Sequence, residues 1–117
     1  MEQATAVTGS VRVANEVISS IAAMAALEID GVAEMDEQAA HQFRDWLRRR
    51  DTAHRGVRVD VDDAKRLHLK VFLSVRRGFH FSGVAEKVQA NVIEAVERML
   101  GLEVAAVDVL VSSVSFA

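Results

Sequence analysis

The last third of the chain constrains the fold most, because a helical pattern and a strand pattern meet there across one glycine. Before Gly101, apolar residues recur at helical spacing, which predicts an amphipathic helix over residues 82–100. After Gly101 the apolar period falls to two, which predicts a strand over residues 104–116. Glycine is suited to this boundary because it adopts the left-handed conformation that ends a helix without strain. Ser82 is the predicted helix cap, and the stripe consists of Val84, Val88, Val92, Ala95, Val96 and Met99.

A second helical pattern lies near the start, over residues 11–28. Its alanines have high helix propensity and suit close packing. We expect a core-facing helix whose buried stripe is Val13, Val17, Ile21 and Met24, widened by Ala14, Ile18, Ala22 and Ala25. Residues 1–10 before it are expected to be frayed. After it, the Asp30-Gly31 pair predicts a turn, with a short extra strand near Val32.

Residues 57–62 and 66–76, between the two helices, alternate between apolar and mostly polar side chains. This alternation predicts two strands, each with one apolar face. Asp62 and Asp63 lie between them, and aspartates favour turns because they accept hydrogen bonds from the backbone that follows. The two strands are therefore predicted to form an antiparallel hairpin.

These elements predict an α+β fold, a single domain over residues 1–117 with the order α-β-β-α-β. The one-sided apolar faces favour a two-layer sandwich, with both main helices on one face of a three- to four-stranded sheet. The hairpin makes its two strands neighbours, but the last strand can pair with either of them. The sequence therefore leaves the strand order open.

Residues 36–55 form a variable, charged insert in this pattern. Its apolar residues keep helical spacing and its arginines cluster toward its end, which predicts an extra short helix near residues 37–50. Such a helix could dock on its own domain, on a membrane-anchored protein, or on an anionic bilayer. Bilayer binding is the weakest of these, because each arginine contributes only about 1 kcal/mol near anionic lipid. We favour docking on a protein partner through Phe43, Trp46, Arg48 and Arg49.

Two apolar residues on the predicted sheet are further candidates for partner binding. Phe72 and Leu110 lie on the otherwise polar side of their strands. If those strands are neighbours, the pair could join two copies of the chain or receive a partner. Scattered apolar residues are common on protein surfaces, so a surface without function is the alternative. A homo-oligomer is thus an expectation of the sequence.

Composition excludes several classes of protein. The chain has no cysteine, so disulfides, thiolate catalysis and sulfur-ligated zinc are ruled out. The net charge of −3 argues against nucleic acid as a partner, because phosphate contacts need a basic surface. No apolar run approaches the roughly 20 residues that cross a bilayer, and residues 1–10 lack the features of a secretory signal. We expect a cytoplasmic protein.

No pattern in the sequence is typical of a catalytic, cofactor or metal site, and we predict that the protein is not an enzyme. The four histidines are far apart and lack the spacing of a helical zinc site. One alternative is a small metal-binding protein in which His68 acts with Asp60 or Asp108, provided that the strands align. Another is an RNA-binding α+β module, although such modules expose aromatic side chains on the sheet.

Four stretches carry a resemblance to a known family: RVANEVISSIAAMAALEIDGVAEM, RGVRVDV, LHLKVFLSVRRG and VAEKVQANVIEAVERMLGLEVAAVDVLVSSVSF. Their most distinctive features are the Gly-Val pairs at residues 31–32 and 56–57, and the helix, Gly-Leu and strand that end the chain. In these features the chain resembles the alkaline shock protein family of bacteria. The insert at residues 36–55 matches no motif of that family. The resemblance implies a non-enzymatic cytoplasmic protein of the envelope stress response, recruited to the membrane by an anchored partner.

Overall fold

A computed structural model describes residues 13–42 and 53–116, apart from the side chains of residues 41 and 42. Within these ranges the chain forms three helices and five strands. In chain order they are α1 (Asn15–Leu27), β1 (Val32–Met35), α2 (Glu37–Gln42), β2 (Ala53–His54), β3 (Val57–Val61), β4 (Leu67–Arg76), α3 (Phe81–Leu100) and β5 (Val104–Ser115). The short strand expected near Val32 is β1. Residues 1–10 and most of the helix predicted near 37–50 lie outside the described residues.

β4 is the central strand of the sheet. β3 pairs with the first half of β4 and β1 with its second half, both antiparallel, so that β3 and β1 share one edge of β4. β5 runs parallel to β4 along the other edge, with Val109 opposite Val71. β2 extends the sheet beyond β3. The last strand therefore pairs with the second strand of the hairpin.

The predicted hairpin is confirmed, since β3 and β4 pair in antiparallel register on either side of a tight turn. Oδ1 of Asp62 accepts hydrogen bonds from the backbone N–H groups of Ala64 and Arg66, each 2.9 Å long. Asp62 thus holds the turn together, as expected of an aspartate that bonds to the backbone that follows it.

α1 and α3 pack on the same face of the sheet, where they share one apolar core with β3, β4 and β5. Successive side chains of a strand point to opposite faces, so alternate strand residues enter this core. They include Val57, Val59, Leu69, Val71 and Leu73.

α3 has the orientation that its periodicity predicts. Its stripe is buried, except for Met99, which is exposed. Gly101 ends the helix in a left-handed conformation with φ at 68°. The prediction that Ser82 caps the start is wrong, because α3 begins at Phe81 and the Ser82 hydroxyl lies 2.9 Å from Nδ1 of His80 instead.

α2 lies on the opposite face of the sheet, where Ala40, Ala53 and Phe72 form a small second core. Oδ1 of Asp36 accepts a 2.9 Å hydrogen bond from the first turn of α2, and the Ser112 hydroxyl of β5 donates to Oδ2. These hydrogen bonds, that of Ser112 most strongly, lower the pKa of Asp36. The α+β class is confirmed, but a two-layer description is too simple because α2 covers part of the second face.

Candidate interaction surface

The orientation of α1 differs from the prediction. Val17 and Met24, which belong to the predicted buried stripe, are 45% and 57% exposed. The residues that face the core are mostly small, and they are Ile18, Ser19, Ala22, Ala23, Ala25 and Ala26. The helix is therefore present as predicted. Ile18, Ala22 and Ala25 are buried as expected and Ile21 packs partly against the core, but Val17 and Met24 point away from the sheet.

Small side chains allow α1 to lie close to its neighbours, since the separation of packed elements depends on the side chains between them. The Ser19 hydroxyl of α1 is 3.5 Å from the carbonyl oxygen of Val57 in β3. Nδ2 of Asn91, in the middle of α3, donates to the carbonyl oxygen of Ala25 at 2.7 Å and to Oε1 of Glu28 at 2.9 Å. Asn91 thus links the two helices by hydrogen bonds, and these bonds help to determine which side of α1 faces outward.

The outward side chains form one apolar area, which we call the helix-layer surface. A groove of about 60 Å³ runs between α1 and α3 at its centre. Its lining is mixed, with the apolar side chains of Ile21, Met24 and Met99 beside polar ones from Glu28, Asn91, Glu94 and Arg98. Val17 and Leu27 continue the area along α1 and are also exposed. The surface therefore consists of Val17, Ile21, Met24, Leu27 and Met99. A contiguous apolar area of this kind often marks a protein-binding site.

Acidic groups border the helix-layer surface. Glu16 and Glu28 of α1 are exposed, and residues 13–42 contain no lysine or arginine. On α3, Nε of Arg98 lies 2.8 Å from Oε2 of Glu94, so the charge of this arginine is offset within the groove. Complementary charge favours a partner that combines apolar and basic side chains.

A larger cavity of about 230 Å³ adjoins the end of α1, lined in part by Leu27, Gly31, Arg76 and Phe79. Gly31 has φ at +99°, and a Cβ atom at this position would lie 2.7 Å from Cδ2 of Phe79. The glycine therefore permits Phe79 to lie against the turn. Sequence analysis assigned no role to this phenylalanine, because it follows a strand pattern and precedes a helix pattern without belonging to either.

The predicted pair on the other face of the sheet is adjacent but is not an open contact surface. Phe72 lies opposite Leu110 in the β4–β5 register, as a contact between them requires. Phe72 is fully buried against Ala40 and Ala53, and Leu110 is half-buried beside them. The expectation that Phe72 is exposed is therefore wrong, because α2 covers it. Phe43, Trp46, Arg48 and Arg49 lie outside the described residues, and their role stays a prediction.

The structure does not support the alternative of a metal site formed by His68 with Asp60 or Asp108. Nε2 of His68 is 2.9 Å from Oδ2 of Asp62, which was not one of its predicted partners. Asp60 is opposite His68 across the hairpin, whereas Asp108 is opposite Lys70. Residues 13–42 and 53–116 contain no cluster of three or more His, Asp or Glu side chains that could hold a metal ion. The contacts of Asp62, led by the Arg66 N–H and the His68 ring, lower its pKa to about 2.

The second face of the sheet is also unlike an RNA-binding platform in the part that is described. Such platforms present exposed aromatic rings on which bases stack, whereas the ring of Phe72 is buried. Arg58 on the same face is 5% exposed, and its Nη1 has no hydrogen-bond partner within the described ranges. A buried guanidinium is not available to bind a phosphate backbone from solvent.

Comparison with known proteins gives the relation of the chain to a family. The alkaline shock protein family, described as having a cell envelope-related function, matches residues 3–116. The chain belongs to this family. The resemblance that the four sequence stretches carry is thereby confirmed.

Two relatives in the alkaline shock protein family come from Bacillus subtilis (strain 168). The uncharacterized protein YloU is 31% identical over 109 residues, which cover 91% of this chain and 88% of YloU. The uncharacterized protein YqhY is 32% identical over 108 residues, which cover 92% of this chain and 78% of YqhY. No solved structure matches the chain. Among the described helices, none has both the length and the apolar character needed to span a membrane.

Proposed function

We propose that this chain is a non-enzymatic scaffold of the bacterial cell envelope stress response, a cytoplasmic protein that a membrane-anchored partner recruits. Its membership of a family with a cell envelope-related function supports the setting. The observation that carries the interaction role is the helix-layer surface, where α1 leaves Val17, Met24 and Leu27 about half exposed while Ile18 and its alanines face the core.

The orientation of α1 matters because it leaves large apolar side chains in contact with solvent. Full burial of a Val, Leu, Ile or Met side chain stabilises a fold by about 1.5–3 kcal/mol. In this structure Val17, Met24 and Leu27 remain about half exposed while alanines occupy the core. A partner that covers these side chains would recover that stabilisation on binding, which accounts for large apolar residues on an outer helix face.

The partner that fits this surface presents apolar side chains flanked by basic ones. Its apolar side chains would enter the groove beside Met24 and Met99, and its cations would meet Glu16 and Glu28 at the border. An anchored partner would also supply the membrane attachment of the complex.

Membrane recruitment in cells tests the proposal. Met24→Glu places a charge in the centre of the helix-layer surface, and we expect the protein to leave the membrane fraction. Val61→Glu is the matched control, because Val61 is also an exposed apolar residue, 56% accessible, but lies at the end of β3 by the hairpin turn. Both variants should melt within a few degrees of the native protein. Equal membrane recruitment of folded Met24→Glu and Val61→Glu proteins would contradict the proposal.

A further inference from the structure

We propose that one end of the sheet binds the surface of an anionic phospholipid bilayer. This end, which we call the aromatic end, consists of Arg76, Arg77, Phe79, Phe81 and Phe116, all of them exposed. The inference goes beyond the proposed function, because it concerns direct contact with lipid through residues that the helix-layer surface does not include.

Three of the five phenylalanines of the chain lie at the aromatic end. Phe79 is 42% exposed, Phe81 is 44% exposed and Phe116 is 72% exposed. They come from three places in the chain, which are the turn after β4, the first residue of α3 and the residue that follows β5. A cluster of large exposed apolar side chains marks a surface that contacts a protein or a membrane.

The end of β5 is held beside the end of β4. The N–H of Arg77 donates to the carbonyl oxygen of Ser115 at 2.9 Å. The guanidinium carbon of Arg77 is 5.6 Å from the centre of the Phe116 ring, which is a cation–π distance. A positive charge and an aromatic ring therefore lie side by side. This combination suits the headgroup region of a bilayer, where anionic phosphates lie next to the acyl chains.

The turn between β4 and α3 projects from the molecule. The N–H of Phe79 donates to the carbonyl oxygen of Arg76 at 3.3 Å and closes this turn. Gly78 within it has φ at +94°, and a Cβ atom there would meet no atom beyond its chain neighbours within 4 Å. Phe81 follows as the first residue of α3. A projecting turn can enter the headgroups of a flat bilayer, whereas a small ligand is bound in a concave site.

The arginines of the aromatic end are available to lipid phosphates. Among the described residues, no carboxylate forms an ion pair with Arg76 or Arg77. Asp30 lines the same cavity as Arg76 without pairing with it, and its charge offsets part of the positive potential. The first turn of α3 contains no acidic residue. Each arginine near an anionic bilayer strengthens binding about fivefold.

A bilayer fits these features better than a nucleic acid does. Phosphate backbones are bound by broad basic surfaces, whereas this chain has a net charge of −3 and the aromatic end has two arginines among three phenylalanines. Such a small patch binds lipid weakly, since stable attachment to a membrane requires two signals. The anchored partner of the proposed function is the second signal, and the aromatic end then orients the complex on the membrane.

Sedimentation of the purified protein with lipid vesicles tests the inference without a protein partner. We expect binding to vesicles made of equal parts of phosphatidylglycerol and phosphatidylcholine, and we expect this binding to weaken as salt screens the charges. Vesicles of phosphatidylcholine alone should bind the protein at least about fivefold more weakly. A native protein that binds neither kind of vesicle, or both equally, overturns the inference.

Paired substitutions test the arginines. Arg76→Gln with Arg77→Gln should lower the partition of the protein onto the anionic vesicles at least about tenfold. Lys65→Gln with Lys70→Gln removes the same charge from exposed sites away from the aromatic end, and this protein should bind like the native one. Equal weakening by the two pairs in folded proteins would show a general effect of net charge and would refute the proposed contact.

The phenylalanines are tested in the same way. Phe81→Ser with Phe116→Ser should weaken vesicle binding at least about tenfold, because these rings would no longer leave water for the bilayer. Val61→Ser is the control, since Val61 is 56% exposed but lies by the hairpin turn at the opposite end of the sheet. Folded proteins that all bind like the native chain would show that the rings do not enter lipid.

A substitution at Asp30 should act in the opposite direction. Asp30→Asn removes the negative charge beside Arg76, so we expect binding to anionic vesicles to strengthen about fivefold. Unchanged binding of the folded Asp30→Asn protein would show that this end does not face lipid.

Fluorescent labelling tests which end of the molecule meets the bilayer, because the chain has no cysteine of its own. A polarity-sensitive fluorophore on Ser82→Cys, next to Phe81, should shift its emission to the blue when anionic vesicles are added. The same label on Ala64→Cys, in the exposed hairpin turn, should not shift. A shift at Ala64→Cys without one at Ser82→Cys would place the opposite end on the bilayer.

Met24→Glu separates this inference from the proposed function. Met24 lies outside the aromatic end, so the variant should bind pure anionic vesicles like the native protein while it leaves the membrane fraction in cells. A protein with Arg76→Gln and Arg77→Gln that binds vesicles like the native chain overturns the inference alone. A Met24→Glu protein that is fully recruited in cells overturns the proposed function alone.

Discussion

α1 and α3 cover the same face of one sheet but differ in the kinds of side chain that they bury. α3 buries its valines and exposes its charged residues, as its apolar stripe predicts. α1 buries alanines and Ser19 while Val17 and Met24 are exposed. α3 therefore packs its larger apolar residues into the core, whereas α1 packs closely on the sheet and leaves large apolar side chains on its outer side.

Apolar spacing alone therefore does not orient a helix that has two apolar sides. In α1, large residues at 17, 21 and 24 and small residues at 22, 25 and 26 both keep helical spacing. The side of α1 that carries the small residues packs against β3 and α3, and Asn91 donates hydrogen bonds to the end of the helix.

The largest expected effect comes from placing a charge in the buried stripe of α3. Val92 is fully buried, so Val92→Asp should destabilise the protein by about 4 kcal/mol or more, since an unpaired carboxylate would lie in the core. Val17→Asp is the comparison in α1, and its free energy of unfolding should change by no more than about 0.5 kcal/mol. Urea denaturation measures both, and equal losses would show that the two helices do not differ.

The next effect concerns the close packing of α1. Ala22 is fully buried, and Ala22→Leu should cost about 1–3 kcal/mol because a core without space must shift to admit the larger side chain. Ala90→Leu is the matched change at an exposed site of α3, where we expect little loss. Thermal melting of the two variants tests whether α1 needs small residues. An Ala22→Leu protein with an unchanged melting temperature would contradict that requirement.

The turn that leaves α1 should be sensitive to a single methyl group. A Cβ at Gly31 would lie 2.7 Å from Phe79 and 2.8 Å from Val84, near the start of α3, and φ is positive at this position. We expect Gly31→Ala to cost about 1–2 kcal/mol through backbone strain and displacement of Phe79. Gly78 also has a positive φ but an open surrounding, so Gly78→Ala isolates the backbone contribution. If denaturation gives equal losses of unfolding free energy for both variants, displacement of Phe79 does not contribute to the cost of Gly31→Ala.

The hairpin turn provides a reference outside both helices, with the smallest effect. The folded pKa of Asp62, about 2, is below its usual value of 3.8. The stabilisation from this carboxylate is therefore fully present above pH 4 and is lost as the pH falls toward 2. Asp62→Asn should flatten the dependence of stability on pH in this window. An unchanged pH profile would show that the turn contacts of Asp62 do not depend on its charge.

Much of the fold could be predicted because its signals are local. The period of two in β3 and β4, the Asp62 turn and the glycine after α3 each depend on neighbouring residues, and all three are present. The exposure of Val17 and Met24 could not be predicted, because it depends on contacts of α1 with residues far along the chain, such as Asn91. The burial of Phe72 is of the same kind, since α2 covers it from another part of the sequence.

The candidate site was missed for the same reason. Val17 and Met24 are expected in the core from the sequence, and only the three-dimensional arrangement shows that they are exposed, with Met24 beside Met99. The basic and aromatic character of residues 43–50 is evident from the sequence, because charge and aromatic content can be read without a fold.

The proposed function depends most directly on the exposure of the large apolar side chains of α1. Because the chain has no cysteine, thiol labelling of Met24→Cys and Ala22→Cys compares the solvent exposure of the two sides of α1. We expect Met24→Cys to react rapidly and Ala22→Cys to be protected, because Met24 is exposed and Ala22 is buried. Rapid labelling of Ala22→Cys with slow labelling of Met24→Cys would contradict the orientation of α1.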